Sequence, residues 1–483
     1  MSWTTLRNRT RRTAGGPRLN LNPLEQRDTP AGGVVTATVV GGSLTLAGDN
    51  NANGNYVRIL EQGIGIFDIQ GQNGTQVKLG TGSPTTSLTV SGVTLDIKGN
   101  FFDGPDRFSH TGLFGTPLRD MILSMGKGAD TVDLSSGFLD VRNVTVSQGV
   151  GDAGNDATTI NNPLGNNGGV RGAVSIRNGE GNDTVTLAAK VAGSVTVTNA
   201  KGNDTTLIQG ASYIGGSVTV LNTTGPVGND TRVQGTAQIS KNLSVTNGDQ
   251  ESINQILGAC TVGGSVTIKN GNAFGGTTQN NVNNAVIGGT FVATGTGGQI
   301  WTNIDGTRVG KTVTILSGPG NAIDTLTNST VGGSYISTKG AGNDSLSVQN
   351  TTIYGNLALN FGASSSGNTV NIDGLTAVGT TSVITTAGED RVFIDTSRFI
   401  GAVTVNTGAA VDVVEIGQSS GANTFFYGNL TVAAGTGVDQ LRVGVNSDIR
   451  VSGNTLYSGI LNETLTDDFG PFSNIYLGLR KVA

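Results

Sequence analysis

The stretch Gly193-Ser-Val-Thr-Val197, followed by Gly202-Asn-Asp-Thr205, contains the unit that repeats along most of this chain. The same order returns as Gly216-Ser-Val-Thr-Val220 with Gly228-Asn-Asp-Thr231. A repeat period of about 20 to 50 residues is typical of solenoids. Aligning the first inward strand residue of each unit gives anchors at a mean spacing of roughly 24 residues: Met121, Val144, Val174, Val195, Val218, Leu243, Val266, Phe291, Val313, Tyr335, Leu357, Thr381, Val403 and Leu430.

The alternation within each unit predicts short strands. In a strand, side chains point to opposite faces in turn, so Val218 and Val220 are expected inside and Thr219 outside. Glycine before the strand permits a sharp corner. These features predict an all-β, single-stranded parallel β-helix of about 14 coils of roughly 24 residues, right-handed, with β-rich end caps. An interior aliphatic ladder is expected from Ile214, Val262, Ile287, Val309, Val331, Ile353 and Ile400.

Composition narrows the classes of function. The chain has 483 residues, 77 of them Gly, and a formal net charge of −5 with only 13% charged residues. Nucleic-acid binders need clustered Lys and Arg, so no nucleic-acid partner is expected. Cys260 and His110 each stand alone, which excludes an internal disulfide and argues against a Cys-based zinc site and a His-based catalytic triad. We expect both residues to be structural.

The chain divides into four predicted regions. Residues 1–31 form a basic, disordered export or targeting segment, residues 32–120 an irregular β-rich N-terminal region, 121–445 the solenoid and 446–483 a C-terminal cap. The stretch Arg18 to Ala31, with its Leu-Glu-x-Arg core, resembles a short N-terminal segment of large, repetitive, exported bacterial proteins. That resemblance implies export; the alternative is a plain basic tail. No transmembrane segment is expected, because no apolar run is long enough.

An aspartate follows the strand anchor by nine to twelve residues in ten coils: Asp130, Asp156, Asp183, Asp204, Asp230, Asp324, Asp344, Asp390, Asp412 and Asp439. Gly179-Glu-Gly-Asn-Asp-Thr-Val185 fits the pattern G-x-G-x-D-x-h, where h is apolar. This pattern is similar to the hemolysin-type calcium-binding nonapeptide. The resemblance implies calcium as the one candidate cofactor, with these metal ligands: Asp130, Asp183, Asp204 and Asp344.

The chain departs from that family in one respect, because it carries one copy of the pattern per coil and not a tandem array. The alternative is an Asx turn, in which each Asp accepts its own backbone N–H groups at the corner. Like charges in neighbouring coils would repel. We expect the carboxylates either to turn outward or to share a cation between coils.

Three functions remain open on the sequence. The first is a non-enzymatic, exported structural or adhesin-like solenoid at the cell surface or outside the cell, with a surface or matrix polysaccharide or protein as partner. The second is a polysaccharide-binding or polysaccharide-cleaving β-helix, whose best charged cluster is Glu389-Asp-Arg391 with Asp395 and Arg398. The third is a scaffold that associates end to end through its open sheet edges. An outward rank of Thr and Ser, including Thr196 and Thr219, suits either binding or plain strand propensity.

Overall fold

The computed structural model describes residues 32–149, 153–162, 168–223, 228–248, 251–418, 423–444, 449–459, 462–463 and 479–481. Residues 1–31, the expected export segment, lie outside this set, as do Ile460, Leu461, Phe469, Phe472, Ile475 and Tyr476 of the expected C-terminal cap. The described residues form stacked parallel coils about 24 residues apart and contain no helix. The predicted β-solenoid of about 14 turns is confirmed, and its handedness stays a prediction.

Antiparallel hairpins begin the rod, which is built from strands numbered β1 to β49 in chain order. β1 pairs with β2, β3 with β4, and β4 with β6, all antiparallel. The first six strands are β1 (Val34–Val40), β2 (Ser43–Ala47), β3 (Tyr56–Gly63), β4 (Ile66–Gly71), β5 (Gln76–Leu79) and β6 (Ser87–Ser91).

Each later coil contributes strands to three parallel faces, which we name A, B and C. Face A continues from β2 and carries the sequence anchors. Its further strands are β7 (Asp96–Asn100), β9 (Leu118–Gly126), β11 (Asp140–Gln148), β14 (Val174–Arg177), β16 (Val195–Asn199), β19 (Val218–Asn222), β22 (Leu243–Thr246), β25 (Val266–Asn283), β27 (Phe291–Asp305), β29 (Val313–Ser317), β32 (Tyr335–Thr338), β35 (Leu357–Asn360), β38 (Thr381–Ile384), β41 (Val403–Asn406), β44 (Leu430–Ala433), β47 (Thr455–Ser458) and β49 (Leu479–Lys481).

Face B follows face A around the first corner of each coil and continues from β3. The second halves of the long strands β25 and β27 also belong to it. Its other strands are β8 (Arg107–Gly112), β10 (Thr131–Gly137), β12 (Ala157–Asn162), β15 (Thr184–Val191), β17 (Thr205–Ile208), β20 (Asn229–Gln234), β23 (Ser252–Leu257), β30 (Ala322–Thr327), β33 (Ser345–Gln349), β36 (Thr369–Asp373), β39 (Arg391–Asp395), β42 (Val413–Ile416), β45 (Gln440–Val443) and β48 (Asn462–Glu463).

Face C is short and closes each coil before the next strand of face A. Its strands are β13 (Gly169–Val170), β18 (Tyr213–Ile214), β21 (Gln238–Ile239), β24 (Thr261–Val262), β26 (Val286–Ile287), β28 (Arg308–Val309), β31 (Thr330–Val331), β34 (Thr352–Ile353), β37 (Thr376–Ala377), β40 (Arg398–Phe399), β43 (Thr424–Phe426) and β46 (Ile449–Val451).

The fourteen sequence anchors form one unbroken rank on face A. Val195 stands opposite Val174 on one side and Val218 on the other, and the same register holds from Met121 to Leu430. The rank also extends past both ends, because Ile97 stands opposite Met121 and Thr455 opposite Leu430. Parallel pairing therefore crosses residue 121 without interruption.

The aliphatic ladder of face C needs one correction. Ile353 lies inside as expected, but Ile400 is exposed and Phe399 occupies the interior position, opposite Ala377. The reason is the corner that follows. Val331 precedes two glycines, whereas Ile400 itself stands where the first of those glycines would be. The Phe399 ring instead stacks on Phe426, with ring centroids 5.0 Å apart.

No membrane-spanning helix occurs in the part of the chain that the structure describes.

Candidate functional site

One residue per coil points into the rod where face B begins, and we name this set the corner rank. All of its members are buried. In stacking order they are Asn55, Asp106, Asp130, Asp156, Asp183, Asp204, Asn229, Ser252, Thr278, Ile300, Ala322, Asp344, Asn368, Asp390, Asp412 and Asp439.

Each aspartate of the corner rank binds the backbone of the preceding coil. The Asp183 N–H donates to Oδ1 of Asp204 at 3.1 Å, and the Asp390 N–H donates to Oδ1 of Asp412 at 2.9 Å. The same bond recurs along both runs of aspartates. These carboxyl groups lie inside the rod, so the expectation that they turn outward is corrected. The aspartates join coil to coil.

Two of the ten aspartates aligned on the sequence lie elsewhere. Asp230 is one position past Asn229, faces outward and pairs with Arg232. Asp324 is two positions past Ala322 and lies inside the rod, where it pairs with the buried Lys339. The turn before Asn229 is two residues longer than in most coils, whereas Ala322 lies at the usual nine residues after its anchor and Asp324 simply comes two positions later on the strand. All four candidate calcium ligands, Asp130, Asp183, Asp204 and Asp344, do lie in the corner rank.

Burial changes the protonation of the corner rank. Loss of solvent raises the pKa of Asp204 to about 7, and the neighbouring Asp183 carboxylate adds to the shift. Burial likewise raises the pKa of Asp106 to about 7 and the pKa of Asp344 and Asp412 to about 6. The second oxygen, Oδ2, of Asp106, Asp204 and Asp344 is buried without a hydrogen-bond partner among the described residues. A proton on that oxygen removes a charge that the interior does not compensate.

The corner rank does not fit a calcium site. Calcium takes about six to eight oxygen ligands. Each coil supplies at most one carboxyl group to the rank, and its Oδ1 already accepts an amide N–H. Within the described ranges, no group of three or more His, Cys, Asp or Glu side chains is arranged to hold a metal ion. The donors of the rank therefore serve the stack and do not converge on a cation.

A second interior ladder escaped the sequence analysis. We name it the asparagine column: Asn178, Asn199, Asn222, Asn247 and Asn270. The side-chain amide N–H of each of the first four donates to the amide oxygen of the next member, over 2.7 to 2.8 Å. The signal was present in the sequence, because every one of these residues lies four positions after its strand anchor.

The charged cluster proposed for an enzyme is not brought together. The carboxyl group of Asp390 is buried in the corner rank, while Arg391 faces outward on β39 and Arg398 lies on face C. Asp395 instead borders a shallow recess of about 340 Å³, together with Asp373 and other residues. A polymer on the outside of the rod cannot reach Asp390.

The single histidine and the single cysteine are both interior. Burial lowers the pKa of His110 to about 4, which keeps the imidazole neutral. Burial raises the pKa of the Cys260 thiol, whose Sγ donates to the Leu257 carbonyl oxygen at 3.1 Å. Both side chains fill the core, as expected for structural residues.

No protein-family model, curated protein or solved structure matches this chain. The resemblances to hemolysin-type repeats and to exported bacterial proteins therefore gain no support from comparison.

Proposed function

We propose that this protein is a non-enzymatic, exported β-solenoid that serves as a structural or adhesin-like component at the cell surface. One observation carries the proposal: the interior polar groups form coil-to-coil bonds, in the corner rank and in the asparagine column. The carboxyl and amide groups that an enzyme would present at a cleft here form hydrogen bonds between neighbouring coils. What faces outward is a long surface of repeated side chains.

The outer surface of face A supports a role in presentation. Thr196 stands between Ser175 and Thr219, all pointing away from the core. Val292, Ile336 and Ala358 interrupt this rank further along the rod. The interruptions argue against recognition of a regular crystalline surface along the whole rod. They favour local binding patches on a stiff support.

The first experiment locates the protein in the organism that encodes it. Intact cells are treated with trypsin and then probed with an antibody against the chain, with a cytoplasmic protein as the control. We expect the signal to disappear from intact cells while the control protein survives. A signal that trypsin removes only after lysis would contradict the proposal.

A second experiment separates presentation from catalysis. The purified chain is incubated with polygalacturonate, and new reducing ends or unsaturated products are measured. We expect no product above a heat-denatured control. Sustained release of product would favour the alternative, a polysaccharide-cleaving β-helix.

A further inference from the structure

The corner between face C and face A changes character in four consecutive coils. At this corner one residue per coil donates its backbone N–H to the preceding coil, as Gly332 does to the Val309 carbonyl oxygen and Tyr354 to the Val331 carbonyl oxygen. In the seven coils before these four the position holds a small residue, and in the coil before those it holds Arg171; the small residues are Ala192, Gly215, Ser240, Gly263, Gly288, Gly310 and Gly332. It then holds Tyr354, Val378, Ile400 and Tyr427, and returns to Ser452.

These four side chains are exposed to solvent. The exposed fractions are 57% for Tyr354, 40% for Val378, 37% for Ile400 and 45% for Tyr427. Neighbouring coils are about 4.8 Å apart, so the four form a stripe roughly 14 Å long, parallel to the rod axis. A contiguous apolar surface on a soluble chain indicates a place of contact. The corner itself does not require a bulky apolar residue, because other coils form the same corner with glycine.

Two arginines lie over aromatic rings at the end of the stripe. The Arg398 guanidinium carbon is 4.9 Å from the Tyr427 ring centroid, and that of Arg450 is 5.7 Å from the Phe425 ring centroid. The Phe425 and Tyr427 rings stack on each other at 6.4 Å. Neither arginine forms an ion pair with any residue of the described ranges, whereas Arg119 pairs with Asp96. Their positive charge is available to a ligand.

We propose that this tyrosine–arginine stripe, made of Tyr354, Val378, Ile400, Phe425 and Tyr427 with Arg398 and Arg450, binds an anionic polysaccharide. Sugar rings present apolar C–H faces that pack on aromatic and aliphatic side chains, and guanidinium groups recognise carboxylates and sulfates through paired hydrogen bonds. The inference rests on the proposed function, because a rod at the cell surface meets such polymers.

The shape of the stripe favours a linear polymer over other occupants. It runs along the rod with one corner side chain per coil, and small residues such as Gly355 and Gly401 border it on one side. Stable protein interfaces bury about 800 Å² on each partner, far more than four half-exposed side chains offer. A nucleic acid would require more cations than two arginines on a chain of net charge −5.

Binding is tested with the full-length chain against polygalacturonate, alginate and chondroitin sulfate, by affinity electrophoresis and titration calorimetry. Methyl-esterified polygalacturonate is the matched neutral probe, because it keeps the backbone and loses the charge. We expect at least one acidic polymer to bind, more weakly as salt is added, and the esterified polymer to bind at least tenfold more weakly. Failure of all three acidic polymers to bind would overturn the inference.

Variants place the binding on the stripe. The double variant Tyr354→Ala with Tyr427→Ala should weaken binding at least tenfold, and Arg398→Gln should weaken it severalfold and reduce its salt dependence. Matched controls are Tyr213→Ala, an exposed tyrosine of face C in a distant coil, and Arg177→Gln, an exposed arginine on face A. The controls should stay within twofold, with unchanged thermal melts in all variants. Equal binding by the stripe variants would overturn the inference.

Two further results would assign the stripe to another occupant and so overturn the inference. One is a concentration-dependent dimer in sedimentation velocity that the double tyrosine variant abolishes, which would make a second copy the occupant. The other is tighter binding of a thymidine oligonucleotide than of any acidic glycan. The trypsin experiment on intact cells tests the proposed function separately. It can fail although the purified chain binds a polymer, and it can succeed although the chain binds none.

Discussion

In the five coils that contain both, the asparagine column and the corner rank lie on either side of the turn between faces A and B, yet their polar groups are satisfied differently. An asparagine side chain carries both a donor and an acceptor, so Asn222 accepts from Asn199 and donates to Asn247. A carboxylate only accepts. Oδ1 of Asp204 receives the Asp183 N–H, and Oδ2 has no donor among the described residues.

The difference between the two ladders is their dependence on pH. The hydrogen bonds between the side-chain amides of the asparagine column do not depend on pH, because amides do not titrate. The carboxyl groups of the corner rank are uncharged only when protonated. Burial disfavours their charged form and so raises the pKa of Asp204, Asp344 and Asp412. A third arrangement occurs further along, where Lys339 takes the column position four residues after its anchor and pairs with Asp324 from face B.

The buried ion pair should give the largest loss of stability. Lys339→Met leaves Asp324 buried without its cation, and the Ser337 hydroxyl still donates to its Oδ2. We expect a loss of about 3–5 kcal/mol in the free energy of unfolding, measured by guanidinium denaturation. The double variant Lys339→Met with Asp324→Leu should recover most of that loss. A single variant within 1 kcal/mol of the parent would show that the pair is dispensable.

Breaking the asparagine column should cost somewhat less. Asn222→Leu keeps the volume but leaves the Asn199 donor and the Asn247 acceptor unpaired inside the rod. We expect a loss of about 2–4 kcal/mol, since each unpaired buried group costs about 1–3 kcal/mol. Thr219→Ala, on the outer side of the same strand, is the control and should change stability by less than about 0.5 kcal/mol. Equal effects of the two substitutions would refute a structural role for the column.

The corner rank should respond to pH in the opposite sense from an ordinary surface carboxylate. Because the pKa of Asp204 is raised from 3.8 to about 7, the folded state holds a proton that the unfolded state has lost. The contribution of Asp204 to the free energy of unfolding is therefore fully present below pH 3.8 and is lost as the pH rises through about 7. Between these two values such a group loses about 1.4 kcal/mol per pH unit.

Asp204→Asn tests this assignment. Asn229 and Asn368 already occupy the rank and accept the same backbone N–H, so the amide fits the position. We expect Asp204→Asn to raise stability by about 1–2 kcal/mol near pH 8 and to have almost no effect near pH 4. Thermal melts of both proteins across this range provide the measurement. A variant less stable than the parent at pH 8 would indicate that the charged carboxylate is needed.

Calcium should have the smallest effect. Since the donors of the corner rank do not converge, we expect the melting temperature to be the same in millimolar calcium and in excess EDTA. Magnesium serves as the control for ionic strength. A calcium-dependent rise of several degrees would restore Asp130, Asp183, Asp204 and Asp344 as ligands, since a ligand bound by the folded state stabilises it.

The sequence by itself determined the coil and its repetition. Alternation along Gly216-Ser-Val-Thr-Val220 is a local property, and a strand exposes its two sides to different surroundings whatever lies beyond it. Because the same local pattern returned once in every coil, the stacking of all fourteen anchors followed from it. The asparagine column could have been predicted in the same way, from its constant offset.

Only the tertiary structure decided which turn residues face inward. Asn229 and not Asp230 enters the corner rank, Ala322 and not Asp324 does so, and Phe399 and not Ile400 fills the core. A longer turn precedes Asn229, Ile400 stands where other coils have glycine, and Asp324 comes two positions after a corner of ordinary length. A shift of one residue turns a side chain from the core to the solvent, so pairing with the coils above and below determines its direction. That direction also separates the buried corner rank from the exposed stripe.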